Sequence, residues 1–168
     1  TLASHTRATV ANATAIAEKL LSAPTDGKPD QRRCLIVAAG LHDPGKNRRQ
    51  WQFGIGNTTY DPASPDTILA KSGGAIRPRN LVENYRHEFG SLGDAASSDD
   101  FDGLTFAERD IVLHLVAAHH GRARPHFPDV EIFDYNAAPD VSTARAGEVP
   151  PRFARLQRSF GRWGLAWL

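Results

Sequence analysis

A histidine and an aspartate stand side by side at positions 42 and 43, directly after the apolar run of residues 34–41. Imidazole nitrogen binds transition metals and a carboxylate can bridge two of them, so His42 and Asp43 could supply a terminal and a bridging ligand from one point of the backbone. A Pro-Gly pair then turns the chain, which would bring the ammonium group of Lys46 back towards them, near a phosphate. The sequence thus indicates a divalent-metal site. An N-capping aspartate followed by proline at the first helical position would explain the same residues without a metal.

Two more histidines, His119 and His120, close a predicted apolar helix that starts with the capping box of Thr105 and Glu108. His119 continues the apolar stripe, whereas His120 points about 100° away from it. Both can therefore serve one site only near a helix end, and Gly121 is the residue expected just past such an end.

Two isolated histidines, His5 and His87, fit more than one interpretation. His5 lies at the edge of the first amphipathic stripe, where a histidine is usually a core-edge or surface residue. His87 falls on the polar face of a helix predicted from residue 80 onwards, together with Gly90, Ser91 and Asp94. Periodicity makes this the solvent-exposed face, although its small residues would let another part of the protein approach closely.

Length and composition indicate one domain. The chain has 168 residues, of which 40% are hydrophobic, and a formal net charge of +1, so no global charge demands a polyanionic partner. A single cysteine excludes an internal disulfide framework, and no segment is long and apolar enough to span a membrane. We expect a soluble cytoplasmic protein. The absence of methionine and a helical pattern at both ends suggest a piece of a larger polypeptide.

Helices are predicted over most of the chain, with irregular regions at 52–80 and 122–150. The first region contains a basic glycine-rich segment, 71–79, that could approach a phosphate or could be a solvated loop. In the first helix, residues 10, 13, 16, 17 and 20 form the apolar stripe. A second, largely buried helix is predicted over residues 31–41 and ends at the His-Asp pair. The closing helix should bury Phe153, Leu156, Phe160, Trp163 and Trp167, and should expose Arg152, Arg155, Arg158 and Arg162. These arginines would form a solvated helix face or would follow a phosphate backbone.

Four elements together resemble a known family: His5, the pair His42-Asp43 in an HDxGK setting, Arg86-His87-Glu88, and His119-His120-Gly121. In an all-helical context, their order and spacing resemble the HD superfamily of metal-dependent phosphohydrolases. More narrowly, they are similar to the HD nuclease domain of the CRISPR-associated helicase-nuclease of type I interference, with features of the I-U (or I-G) subtype. The resemblance implies an all-α fold, an HD-domain helical bundle with long irregular loops, spanning residues 1–168.

The resemblance also implies a site with two metal ions. Asp43 would bridge both ions, and Lys46 would hold or polarise the scissile phosphate. The histidines would divide between the ions, with His5 and His42 on the first and His87, His119 and His120 on the second. Such a ligand set favours Mn²⁺, Fe²⁺, Co²⁺ or Ni²⁺ over Mg²⁺, which prefers oxygen ligands.

One ligand of the family pattern is missing. The family adds a late aspartate to the first metal, and this sequence offers none after Trp163, so we expect that ligand beyond Leu168. Asp129, Asp134 and Asp140 lie in the second predicted irregular region and are not assigned as ligands.

The function implied is hydrolysis of single-stranded DNA in antiviral defence. The strand would be fed by a helicase domain of the same polypeptide or complex, on a CRISPR surveillance complex and away from any membrane. Two alternatives remain open at this stage: an HD phosphohydrolase acting on a nucleotide or cyclic nucleotide, and a non-catalytic HD domain that serves as a docking module.

Overall fold

A computed structural model describes residues 1–72 and 84–167 of the chain. These residues form helices and no strand, which confirms the predicted all-α class. In chain order, the α-helices are α1 (Leu2–Leu20), α2 (Gln31–Leu41), α3 (Arg49–Gly54), α4 (His87–Ala96), α5 (Phe106–Ala118), α6 (Pro139–Gly147) and α7 (Val149–Trp167). One-turn 3-10 helices lie at Pro44–Lys46, Pro65–Thr67, Asp99–Phe101 and Asp129–Glu131.

The core lies where α2, α4 and α5 pack together, with α1 against α2 and α7 against α5. Phe89 of α4 and Val112 of α5 are completely buried there, and Phe127 packs edge-on against Phe89. The turn Pro44–Lys46 packs against α4. As a result, the chain just after α2 is held against the beginning of α4.

Helix α2 has the predicted bounds. Its N-cap, Asp30, accepts a hydrogen bond from the backbone N–H of Arg33, and the backbone N–H of Asp30 donates to Glu108. The helix ends at Leu41, so His42 becomes its C-cap residue and Asp43 follows directly. The helix therefore delivers the His-Asp pair at its end.

Helix α5 begins with the predicted capping box, in which Thr105 and Glu108 satisfy each other's backbone N–H groups. It ends at Ala118, slightly earlier than predicted, with His119 as the C-cap residue. Gly121 has a positive φ of 82°, the conformation expected of a glycine just past a helix end.

Helix α4 differs from the prediction in both its start and its buried face. It begins at His87, and residues 84–86 before it are not helical. Gly90 and Ser91 were predicted on the solvent face, but both are buried because the turn Pro44–Lys46 covers that side of α4. The interpretation as a solvent-exposed face was therefore wrong, whereas the close approach of another part of the protein to its small residues is confirmed.

The predicted irregular regions contain more helix than expected. Helix α6 lies inside the region 122–150, and α3 overlaps the start of the region 52–80. Pro139 occupies the first turn of α6, where its missing N–H is not needed. Most of the basic glycine-rich segment 71–79 lies outside the described residues.

The faces of α7 and α1 also differ from the predicted stripes. Trp163 is 89% exposed instead of buried, because Gly161 leaves the helical conformation (φ 70°) and breaks the periodicity. Arg152 is buried, and Arg155 binds Asp110 through two hydrogen bonds, so the arginine face of α7 is not simply solvated. In α1, the predicted core residues Ile16 and Leu20 are 49% and 65% exposed.

No helix within the described parts of the chain is long and apolar enough to cross a lipid bilayer.

Candidate metal centre

Five histidines and one aspartate from different helix ends meet at one place. The structure brings together the six ligands that the resemblance assigns within this sequence, and Lys46 lies beside them. The histidines come from the first turn of α1, from the C-terminal ends of α2 and α5, and from the first residue of α4: His5, His42, His87, His119 and His120.

The carboxylate of Asp43 is the centre of this cluster and is 1% exposed. Its Oδ2 lies 3.2 Å from Nε2 of His5 and 3.1 Å from Nε2 of His42. Its Oδ1 lies 3.2 Å from Nε2 of His87 and 3.7 Å from Nε2 of His119. Each oxygen of one carboxylate therefore faces a different group of histidines, as a bridging ligand would.

The ligand atoms form two compact groups. His5, His42 and Asp43 make the first group, and His87, His119 and His120 make the second; within each group the ligand atoms lie within 4.8 Å of one another. The groups are neighbours, since the rings of His42 and His119 lie 5.2 Å apart, edge to face. This division is the one that the resemblance implied.

Hydrogen bonds at Nδ1 orient two of the imidazoles. Nδ1 of His42 lies 2.9 Å from the carbonyl oxygen of Ala39, and Nδ1 of His119 lies 2.7 Å from that of Val116. Because a carbonyl only accepts, each ring donates from Nδ1, and this bond directs Nε2 into the cluster.

The carboxylate of Glu88 lies beside Nδ1 of His87, with 3.4 Å between its Oε2 and that nitrogen. Glu88 is buried, and sequence reasoning did not assign it a role. Its position directly after His87 was the available signal, because a carboxylate beside the second nitrogen is a common support for a metal-binding histidine.

The protonation states in the cluster suit a cation. Burial alone would raise the pKa of Asp43, but its contacts with His42, His87 and Lys46 outweigh burial and hold that pKa well below its usual range. Burial lowers the pKa of His119 to about 4, so its ring is neutral near pH 7. Oδ1 of Asp43 has no hydrogen-bond partner among the described residues. An ionised carboxylate and the neutral ring of His119 thus lie together in the cluster, and both are ligand types that divalent cations bind.

A close backbone contact holds the Asp43 turn against α4. The backbone N–H of Gly45 donates to Oγ of Ser91, and the hydroxyl of Tyr85 donates to the carbonyl of Gly45. A Cβ on Gly45 would collide with the carbonyl oxygen of His87 and lie 2.7 Å from the backbone nitrogen of Ser91. Glycine at this position therefore lets Asp43 and His87 approach each other.

The three aspartates left unassigned are not part of the cluster. Asp134 is buried and binds Arg48, with 2.7 Å between its Oδ1 and Nε of the arginine. Asp129 and Asp140 are exposed and belong to neither group. Among the described residues, the first group therefore has three donors, whereas the second has three histidines and a share of Asp43.

An all-helical fold in which a His-Asp pair follows a helix and meets further histidines from other helix ends defines an HD-type domain. The chain belongs to the Cas3 HD-domain family, because the family model described as "Cas3, HD domain" matches residues 2–162. Neither a curated protein nor a solved structure matches the chain significantly.

Membership makes this chain a CRISPR-associated HD nuclease domain and implies a nucleic-acid substrate. HD domains bind divalent metals, and the two groups around Asp43 could hold them. The I-U or I-G subtype stays a prediction.

Proposed function

We propose that this domain is a metal-dependent nuclease that hydrolyses single-stranded DNA in type I CRISPR interference. The observation that carries the proposal is the placement of Asp43, whose two oxygens face two separate groups of imidazole nitrogens at 3.1 to 3.7 Å. A pair of divalent cations held there would supply Lewis-acid stabilisation of the phosphate and activation of water.

The protein ligands would divide between the two ions. Asp43 would bridge the two ions, with His5 and His42 completing the first site. His87, His119 and His120 would complete the second site. The predominance of imidazole over carboxylate supports Mn²⁺, Fe²⁺, Co²⁺ or Ni²⁺ rather than Mg²⁺.

Lys46 is placed to bind the scissile phosphate. Its Nζ lies 2.6 Å from Oδ2 of Asp43, and its side chain is largely buried at the cluster. An ammonium held next to the bridging carboxylate would offer a charge-assisted hydrogen bond to a phosphate oxygen that replaces the contact with Asp43.

A polymer substrate is supported by basic residues next to the cluster. Arg124, which follows shortly after His120, is exposed and forms no ion pair within the described ranges, so its charge is open to a phosphate. Arg122 is less available, because its guanidinium lies 2.9 Å from the carboxylate of Glu131. We infer that a helicase domain of the same polypeptide or complex feeds the strand to this site, in the cytoplasm and on a CRISPR surveillance complex.

Metal analysis of the purified chain, combined with cleavage assays across divalent cations, tests the proposal. We expect Mn²⁺, Co²⁺ or Ni²⁺ to support cleavage of a single-stranded oligonucleotide and EDTA to stop it. Cyclic and linear nucleotides, assayed in parallel, are the control substrates. Hydrolysis of nucleotides without cleavage of the strand would replace the proposal by the nucleotide phosphohydrolase, and bound metal without any hydrolysis would replace it by the docking module.

A further inference from the structure

An apolar cavity opens beside the candidate metal centre. It has a volume of about 610 Å³ and lies between α1, α2 and α5. Two of the proposed metal ligands, His42 and His119, form part of its wall, so the cavity and the centre are continuous. Anything bound in the cavity therefore lies next to the position that the scissile phosphate would take.

The wall of the cavity is mostly apolar. Most of it is aliphatic, and it includes Ile16 and Leu20, the exposed apolar residues of α1. Asn12 and Gln31 add amide groups, and Arg124 adds a cation. None of the described residues lining the cavity carries a carboxylate, so an anionic chain can approach it without repulsion.

We propose that this cavity binds an unpaired nucleobase of the substrate strand, next to the phosphate being cut. A nucleobase has two apolar faces and a polar edge, which the aliphatic wall and the amides of Asn12 and Gln31 match. Arg124 at the wall would bind the adjoining phosphate. The volume exceeds that of one base, so the cavity also admits the sugar.

This inference rests on the proposed function, and it explains a preference for single strands. In a duplex the bases are stacked and paired inside the helix, so none can enter a side cavity without being extruded. An apolar side chain from a neighbouring protein segment is the competing occupant. The continuity of the cavity with the metal centre and the absence of carboxylates from its described wall favour the base.

An abasic strand provides the test. The cleavage of a single-stranded oligonucleotide by the Mn²⁺-loaded chain is compared with that of an oligonucleotide of the same length in which tetrahydrofuran replaces every nucleoside sugar and base. Both strands carry the same phosphodiesters. We expect KM for the base-bearing strand to be lower by about tenfold or more, the effect expected from burying the apolar faces of a base against the aliphatic wall.

Substitutions in the cavity wall test whether the difference in KM arises from this cavity. Ile16→Trp, at a half-exposed position on the rim, should fill the cavity and raise KM for the base-bearing strand about tenfold, with KM for the abasic strand unchanged. Glu18→Trp is the matched control, since Glu18 is exposed on the same helix and does not line the cavity. Asn12→Ala should alter the preference among the four bases, which a purely structural role would not do.

The possible outcomes distinguish failure of the proposed base subsite from failure of the proposed nuclease function. Cleavage of both strands with equal KM by the wild-type chain would overturn the base subsite and leave the nuclease assignment standing. Cleavage of neither strand would overturn the nuclease assignment and the subsite with it. Equal changes on both strands in Ile16→Trp would also count against the subsite.

Discussion

One carboxylate serves both groups of histidines, so the proposed chemistry depends on a single side chain. Imidazole rings are neutral donors, and a cation bound by them alone would keep its full charge. Asp43 would supply the negative charge for both proposed sites, and its buried position would keep water from competing for its oxygens. Substitution of Asp43 is therefore the most direct test of the proposed metal centre.

Asp43→Ala should abolish metal-dependent cleavage, by on the order of 1,000-fold or more, because both proposed ions lose a ligand. The helical fold should remain largely intact, as judged by far-UV circular dichroism. Asp26→Ala, at an exposed loop position, is the matched control and should cleave like the wild type. Unchanged cleavage in Asp43→Ala would rule out the bridged centre.

A second titratable residue, His114, lies outside the cluster and is buried in α5. Burial, with smaller contributions from Arg124 and Arg152, lowers its pKa to about 4. The folded protein thus keeps His114 neutral while the unfolded chain takes up a proton near pH 6.5. Stability from this residue is full above about pH 6.5 and is lost as the pH falls from about 6.5 to about 4.

His114→Gln should therefore flatten the acid side of the stability profile. We expect the wild type to lose up to about 3 kcal/mol more than the variant between pH 7 and pH 4, measured by urea denaturation with EDTA present. His126→Gln, at an exposed position, should follow the wild-type profile. Parallel profiles for wild type and His114→Gln would show that this residue does not titrate as inferred.

At the scale of elements, the cluster uses helix C-termini in a repeated way. His42 ends α2 and His119 ends α5, and each donates from Nδ1 to the carbonyl three residues earlier, Ala39 and Val116. The last carbonyls of a helix have no partner within it, so a C-cap imidazole can satisfy one of them. The same bond turns Nε2 outward, towards the next element.

Gly45→Ala should disturb the junction between the Asp43 turn and α4. Because the new Cβ would meet the backbone of His87 and Ser91, the two segments must separate, at about 1–3 kcal/mol of stability. Metal affinity measured by isothermal titration should fall as Asp43 and His87 move apart. Gly147→Ala in α6, where a Cβ meets nothing within 4 Å, is the control and should not weaken metal binding. Wild-type affinity in Gly45→Ala would contradict the close-approach argument.

Local rules predicted some elements and failed for others. The apolar run that ends at Leu41 and the Thr105–Glu108 capping box before α5 are signals within a few residues, so both helices were predicted closely. The buried face of α4 depends on contacts with a turn some 45 residues earlier in the chain, such as the contact of Gly45 with Ser91. The hydrophobic periodicity of a helix carries no information about such long-range contacts. Helix α6 carried a local signal, Pro139 in its first turn, that the surrounding prolines and aspartates obscured.

The candidate site shows the same contrast. The types and order of its ligands could be read from the sequence, since few residues bind metals. Periodicity did not predict that His5 and His87 meet Asp43, because it assigned both histidines to edges or solvent; only the family resemblance implied it. Their positions result from the packing of α1 against α2 and of α4 against the Pro44–Lys46 turn.

At the scale of the whole molecule, the proposed ligands come from four parts of the bundle: α1, the end of α2, the start of α4 and the end of α5. Ion binding would therefore connect elements that are far apart in sequence. A ligand that binds only the folded state stabilises it, by about 2.7 kcal/mol at 100 times its dissociation constant. Metal should thus raise the melting temperature of the wild type, and Asp43→Ala should lose most of that rise.

The two ions should bind unequally. The second site would have Asp43 with His87, His119 and His120, whereas the first would have only His5, His42 and the shared carboxylate among the described residues. Ligand number sets affinity when the donor types are similar, so the second site should fill at lower Mn²⁺ concentration in an isothermal titration. His5→Ala should remove only the weak binding event, and His120→Ala should weaken the tight one. Two equally tight ions in the wild type would mean that the first site has a ligand in addition to His5, His42 and Asp43.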